Sequence, residues 1–203
     1  ALVGLYVAIT YAGAMFASLT SGSTVGRWGP IRVSQMGLVF CAMGLCLCAL
    51  PWLPAIGLGA LMIGLGYGPI TPASSQILAR TTPPSQMALV FSIKQTGVPV
   101  GAMMAGAIVP SLMLGVGWQW SLVAVALACV LSAVLSEPLR KDMDDLRQPA
   151  LRFQMGTLTT PLRMVLEHRA LRTMAACSFM FSMVQMSLTT YLVTYLQIGR
   201  AHV

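Results

Sequence analysis

One charged residue stands well inside a long apolar run of this sequence: Lys94, in the stretch Phe91 to Pro110, FSIKQTGVPVGAMMAGAIVP. An ammonium at such a place has two uses. It can snorkel, stem in hydrocarbon and charge at the headgroups, or it can face a wetted path and meet an anionic substrate or a carboxylate. On a helix, Lys94, Gly97, Gly101, Ala105 and Ile108 fall within about 40° of one line. Small residues let a neighbouring backbone approach closely, so this stripe is expected to face protein and Val100, Met103 and Ala107 to face lipid. Gln95 adjoins the lysine. Thr71, Ser75 and Gln76 of the preceding run are expected to face the same path, so the expected substrate-path set is Lys94, Gln95, Gln76, Thr71 and Ser75.

Other chemistry lacks its materials. His168 and His202 lie outside the runs, and all five acidic residues fall between Glu137 and Glu167. No nucleophile and base, and no metal-ligand set, can be assembled at membrane depth, which argues against an enzyme, a bound metal or a cofactor. Cys41, Cys46, Cys48, Cys129 and Cys177 sit in apolar runs and read as small packing residues rather than disulfides. The 15 methionines read as adaptable packing before a drug-binding lining or a copper path.

The elements that must position Lys94 are membrane spans. Of 203 residues, 57% are hydrophobic and 8% charged, against about 25% charged in a soluble domain. Runs of roughly 20 apolar residues suffice to cross a bilayer, and six are expected: Ala1–Thr20, Val33–Leu50, Ala55–Leu78, Met87–Val109, a fifth ending near Leu135, and Ala170–Leu196. The fold class is therefore all-α, a polytopic helix bundle. The first run is expected to stop at Ser21-Gly22-Ser23 and the second at the Pro51-Trp52-Leu53-Pro54 turn. Pro69 and Pro72 should bend the third, whose Gly64 and Gly68 are expected packing positions beside Gly97 and Gly101 of the fourth. Thr82 can cap, and Pro83 open, the fourth.

Residues 137–169 are polar and read as a linker, dividing the chain into 1–136, 137–169 and 170–203. A short surface helix could begin at Thr160-Pro161, exposing Arg163, Glu167 and Arg169. The formal net charge is +7, and its placement names the partner. Ten of the 12 Lys and Arg lie on alternate connections: Arg27 and Arg32, then Arg80, then the seven from Arg140 to Arg172. That is the positive-inside pattern, so a membrane and not nucleic acid is expected, with 21–32, 79–86 and 137–169 cytoplasmic in an inner or plasma membrane. The chain opens within an apolar run without Met, as expected of a fragment of a longer protein.

The six runs, the basic linker before the last, and Gly22-Ser23-Thr24-Val25-Gly26-Arg27-Trp28-Gly29-Pro30-Ile31-Arg32 together resemble the Major Facilitator Superfamily. Its turn between helices two and three is written G-x-x-x-D-R-x-G-R-R. Gly22, Arg27 and Gly29 match and Arg32 lies just past the basic pair; Gly26 replaces the acidic position, and Pro30 and Ile31 replace the basic ones. The resemblance implies a twelve-helix fold of which helices two to seven are present. It also implies a secondary transporter working by alternating access as symporter or antiporter, monomeric when whole, with Gly22, Arg27, Gly29 and Arg32 as a gating loop. Gly97, Gly101 and Gly106 resemble the glycine-rich fifth helix of exporters in the family, without its Gly-Pro core. A small solute is then the partner, an organic anion on the evidence of Lys94. The alternatives are a multidrug or metabolite exporter and, from another class, a membrane scaffold or inactive fragment; Pro69, Pro72 and Pro99 within spans favour a transporter, which uses interrupted helices to build a midplane site.

Overall fold

The computed structural model describes residues 2–144 and 163–201. It contains α1 (Leu2–Trp28), α2 (Pro30–Cys48), α3 (Leu53–Thr81), a 3-10 turn at Pro84–Gln86, α4 (Met87–Val116), α5 (Trp118–Leu135), a second 3-10 turn at Glu137–Leu139, α6 (Arg140–Met143) and α7 (Arg169–Ala201). The described residues contain no strand. Two compact units result, Ala1–Phe153 and Gln154–Val203. The expected helix start at Thr160-Pro161 and the middle of the linker lie outside the described residues.

Among the described residues five helices are long and apolar enough to cross a membrane: α1, α2, α3, α4 with its preceding turn, and α5 with the turn that follows it. The 27 residues of α1 rise about 40 Å at 1.5 Å each, more than the hydrocarbon core requires. The outer faces of the five helices carry large apolar side chains, such as Met103 at 69% and Leu114 at 91% exposure in α4, which lipid or further apolar helices cover at low cost. The protein is a multi-pass membrane protein. The expected sixth span is helical within α7.

The inner core of the first unit is α1, α2 and α3, joined through small residues. Ala14 and Ala17 of α1, Gly37 and Gly44 of α2, and Ala60, Gly64, Gly66 and Gly68 of α3 are buried. Gly64 and Gly68 lie against α1: a Cβ on the first would overlap the Thr10 carbonyl, and on the second the Ala14 carbonyl. Backbone contact at this closeness replaces side-chain burial as the packing force between membrane helices.

Pro69 and Pro72 lie inside the continuous helix α3. A helical proline has no N–H for the carbonyl four residues earlier, so Pro72 deprives Gly68 of its usual donor. Ser18 of α1 supplies one, its Oγ donating to the Gly68 carbonyl at 3.0 Å. The Ser18→Ala variant should leave that carbonyl bare, at a cost of about 1–2 kcal/mol. The expected result is a lower melting temperature of the solubilised protein, with Ser18→Thr retaining most of the wild-type value.

Three boundaries differ from expectation, one of them the end of α4, which runs through Pro110 to Val116 instead of stopping at Val109. The first run does not stop at Ser21-Gly22-Ser23; α1 continues to Trp28, and Gly29 alone separates it from α2. The hydroxyls explain why. Ser21 donates to the Ser18 carbonyl, Ser23 to that of Thr20, and Thr24 to those of Thr20 and Ser21, so their polarity is satisfied along the helix instead of breaking it. At the connection between α3 and α4 Thr82 is the C-terminal cap of α3, and Pro84 rather than Pro83 occupies the first position of the turn that leads into α4.

Candidate functional site

The lysine reaches across to α3. Lys94 Nζ donates to Ser75 Oγ at 2.7 Å and to the Thr71 carbonyl at 3.3 Å. Ser75 in turn donates to the Thr71 carbonyl at 2.8 Å, which orients its oxygen lone pairs toward the ammonium. The Phe91 ring, one turn back on α4, has its centroid 5.8 Å from Nζ, and its negative face favours a cation there. Lys94 is partly exposed. None of the described ion pairs includes it.

Three of the five expected path residues, Lys94, Thr71 and Ser75, are thus in contact. Thr71 and Ser75 are four apart and share one face of α3. Gln95 is exposed, and among the described hydrogen bonds none joins it or Gln76 to the lysine. Gln76 Oε1 is buried and lacks a partner among the described residues. Phe91 was not expected here, although its place three residues before Lys94 on a helix was the available signal.

The glycine stripe of α4 meets no other helix among the described residues. Apart from the adjoining turns of α4 itself, no atom of the described chain lies within 4 Å of a Cβ built on Gly97, Gly101 or Gly106, and no residue of α4 is buried. Within the described residues α4 sits at the edge of the bundle, touching α5 and α3, and the stripe with Gly97 and Gly101 is open. Val100, Met103 and Ala107, expected on the lipid side, are exposed too.

Against the opposite face of the same part of α3, the α1–α2 turn is built on a different principle. Ala73 is fully buried with Val25 of α1 and Val33 of α2, so the segment of α3 that carries Thr71 and Ser75 also supports the turn on its opposite face. Gly29 has φ +90°, a conformation that residues with a Cβ rarely adopt. Arg27 lies in the last turn of α1 with its guanidinium 5.9 Å from the Trp28 ring centroid, and Arg32 lies in the first turn of α2. Gly22 faces open space. The buried carboxylate of Asp144, 4% exposed, accepts the Ile31 N–H at 2.9 Å and the Arg32 N–H at 3.2 Å. Beside it, Gln35 Nε2 donates to the Ala133 carbonyl at 3.0 Å and to Glu137 Oε2 at 2.8 Å, and Arg140 pairs with Glu137 at 2.6 Å. Sequence reasoning missed Asp144, Glu137 and Gln35 as parts of this region. Only Gln35, an amide in an apolar run, carried a visible signal.

Replacing Gln35 by Leu should loosen α2 from α5, because Glu137 and the Ala133 carbonyl each lose the donor that α2 supplies and keep partners from their own segment, Arg140 and Ser136. An expected loss of about 1–3 kcal/mol would be read as a lower melting temperature, with Gln35→Glu no better, since it brings a second acceptor to the same two oxygens.

This arrangement has parallels among known proteins. The profile of the Major Facilitator Superfamily matches residues 1–202. The "MFS-type transporter criB" of Aspergillus cristatus is 31% identical over 105 residues, which cover 51% of this chain and 23% of that protein. The "Hexuronate transporter" of Bacillus subtilis (strain 168) is 28% identical over 75 residues, 37% of this chain and 18% of that one. Both matches therefore span less than a quarter of the relative. Among solved structures, a peptide transporter POT (E310Q mutant) in complex with alafosfalin superposes with a TM-score of 0.59 at 19% identity, over 97% of this chain and 39% of the other. A POT family transporter in complex with 5-aminolevulinic acid gives 0.61 at 17%, over 97% and 41%; at such identity the likeness is one of fold. With its bundle of apolar helices and a profile match over nearly its whole length, the chain belongs to the Major Facilitator Superfamily, a family of transporters and not of enzymes.

Proposed function

We propose that the protein carries small organic anions across an inner or plasma membrane by alternating access, with Lys94 as the counter-charge of the cargo. The observation that carries the proposal is an ammonium held on the α3 side by neutral oxygens only, Ser75 Oγ and the Thr71 carbonyl. A snorkelling lysine would extend toward the headgroups; this one turns to a neighbouring helix. Two of its three donors are spent on α3, and the third, with an uncompensated charge, suits a carboxylate. The likeness to a hexuronate transporter supports the same chemistry, a hexuronate being a carboxylated sugar. Gln76 and Gln95 are placed near enough in sequence to serve the cargo's hydroxyls.

In this reading α1 to α5 belong to the first half of the carrier, the segment after α5 is the connection between halves, and α7 opens the second half. The connections at 21–32, 79–86 and 137–169 face the cytoplasm. Gly22, Arg27, Gly29 and Arg32 form the inner gate. Because Ala73 braces the turn while Thr71 and Ser75 hold the lysine, movement of this part of α3 reaches both places. The gate makes its own prediction: Arg27→Ala should slow turnover severalfold with apparent affinity retained, whereas loss of protein from the membrane would assign Arg27 to topology.

Uptake of a labelled hexuronate into proteoliposomes holding the whole protein, wild type against Lys94→Ala and Lys94→Arg, tests the cargo reading. Lost affinity in the alanine variant with partial retention in the arginine variant is expected. Unchanged transport and affinity in both would remove the lysine from the site and favour an exporter of uncharged compounds.

A further inference from the structure

We infer that Asp144 is the positioning residue of the α1–α2 turn, the carboxylate that keeps Arg27 and Arg32 in their observed places. A helix leaves its first backbone N–H groups without partners inside the helix, and for α2 each can be accounted for. Pro30, the first residue, has no N–H. Val33 N–H donates to the Gly29 carbonyl at 3.1 Å, the first regular helical bond. The two donors left are those of Ile31 and Arg32, and both go to Asp144, one to each carboxylate oxygen.

No residue of the turn itself could do this. Gly29 stands where a capping side chain would be, and no side chain of the turn caps the helix. The carboxylate instead comes from a residue 113 positions away from Ile31, brought back by α5, the 3-10 turn at Glu137–Leu139 and α6. Glycine and aspartate exclude alternatives to one another: a Cβ on Gly29 would overlap the Asp144 carboxylate, so the space the glycine leaves is the space the carboxylate fills. A negative charge at a helix N-terminus is favoured by the partial positive charge there, and burial removes the water that would compete for the two amides. Gln35, bonded to Glu137 and the Ala133 carbonyl, fastens the same returning segment one turn further along α2. Arg32 is one of the two residues so held, and Arg27 stands just across Gly29, the single residue between α1 and α2. A gate built on them needs Asp144 in place.

The test is hydrogen exchange on the whole protein in nanodiscs, comparing wild type, Asp144→Asn and Asp144→Ala, with turnover and KM for the transported anion measured on the same samples. Exchange at Ile31 and Arg32 should rise at least tenfold in the alanine variant and less in the asparagine variant, whose side-chain carbonyl still accepts one N–H. Gly29→Ala, which displaces the carboxylate, should raise exchange at the same two amides and serves where Asp144→Ala does not accumulate. Unchanged exchange at Ile31 and Arg32 in Asp144→Asn and Gly29→Ala overturns the assignment. The turnover measurement rests on the gating reading, and the exchange measurement does not. Faster exchange with lower turnover and constant KM supports the positioning role together with the gate; faster exchange with unchanged turnover supports the positioning role and removes the gate.

Discussion

The Gly64→Val variant is expected to leave almost no folded protein in the membrane. A Cβ at position 64 would overlap the Thr10 carbonyl, and the obstacle is main chain, which no rotamer change can move aside. Relief would require α1 to slide or withdraw along its whole contact with α3. Ala14 and Ala17 would then leave their buried positions, and the Ser18 to Gly68 hydrogen bond would break. Overpacking a tight site costs about 1–3 kcal/mol and sometimes more; a broken bond to a buried carbonyl adds about another 1–3 kcal/mol. Since natural proteins have only about 5–15 kcal/mol in hand, most of the variant should be cleared. Fluorescence-detected size-exclusion of a tagged protein reads the outcome directly. Gly97→Val provides the contrast: that Cβ meets no atom of the described chain within 4 Å, so the variant should accumulate normally unless a helix outside these residues covers the stripe. A monodisperse Gly64→Val peak of wild-type height would contradict the backbone contact between α1 and α3.

The second large effect is expected from Lys94→Glu. Two opposite charges 4 Å apart at an effective dielectric of about 20 attract by roughly 4 kcal/mol, a factor of roughly a thousand in affinity. Reversal turns that attraction into repulsion. Anion transport should fall below detection, while the amount of protein in the membrane stays near wild type, because Lys94 is partly exposed and Ser75 Oγ can donate to a carboxylate as readily as it accepts from an ammonium. Binding of a labelled hexuronate to purified protein separates loss of affinity from loss of turnover. Undiminished binding by Lys94→Glu would exclude an electrostatic role for this position. A milder series should accompany it: Ser75→Ala leaves the charge but removes its nearest support, so a severalfold rise in KM is expected with turnover little altered.

These outcomes bear on how much could be seen before the chain was folded. The helical runs were legible because a bilayer demands about 20 apolar residues at a time, and the ends of α2, α3 and α5 fall near the expected residues. The contact of Lys94 with Thr71 and Ser75 was also within reach, since polar residues in adjoining runs at similar depth have few other partners. The end of α1 was not. Serine and threonine hydroxyls either break a helix or bond back along it, and the choice at Ser21, Ser23 and Thr24 depends on whether α2 and α3 give the extra turns something to pack on, as Val25 against Val33 and Ala73 does. The stripe of Gly97 and Gly101 announced that one face of α4 is small without saying which helix, if any, would meet it.

Composition and periodicity by themselves determined that this is a bundle of membrane helices with one ammonium set among them, because hydrocarbon forces backbone hydrogen bonds inside each segment and those rules act over a few turns at a time. Which residues meet across the bundle was decided by tertiary packing. Asp144 and Ile31 stand 113 positions apart, and nothing local to either one specifies the other. Their pairing exists because α5 returns along α2 and ends beside its first turn, where two unbonded N–H groups and a glycine's empty side leave room for a carboxylate.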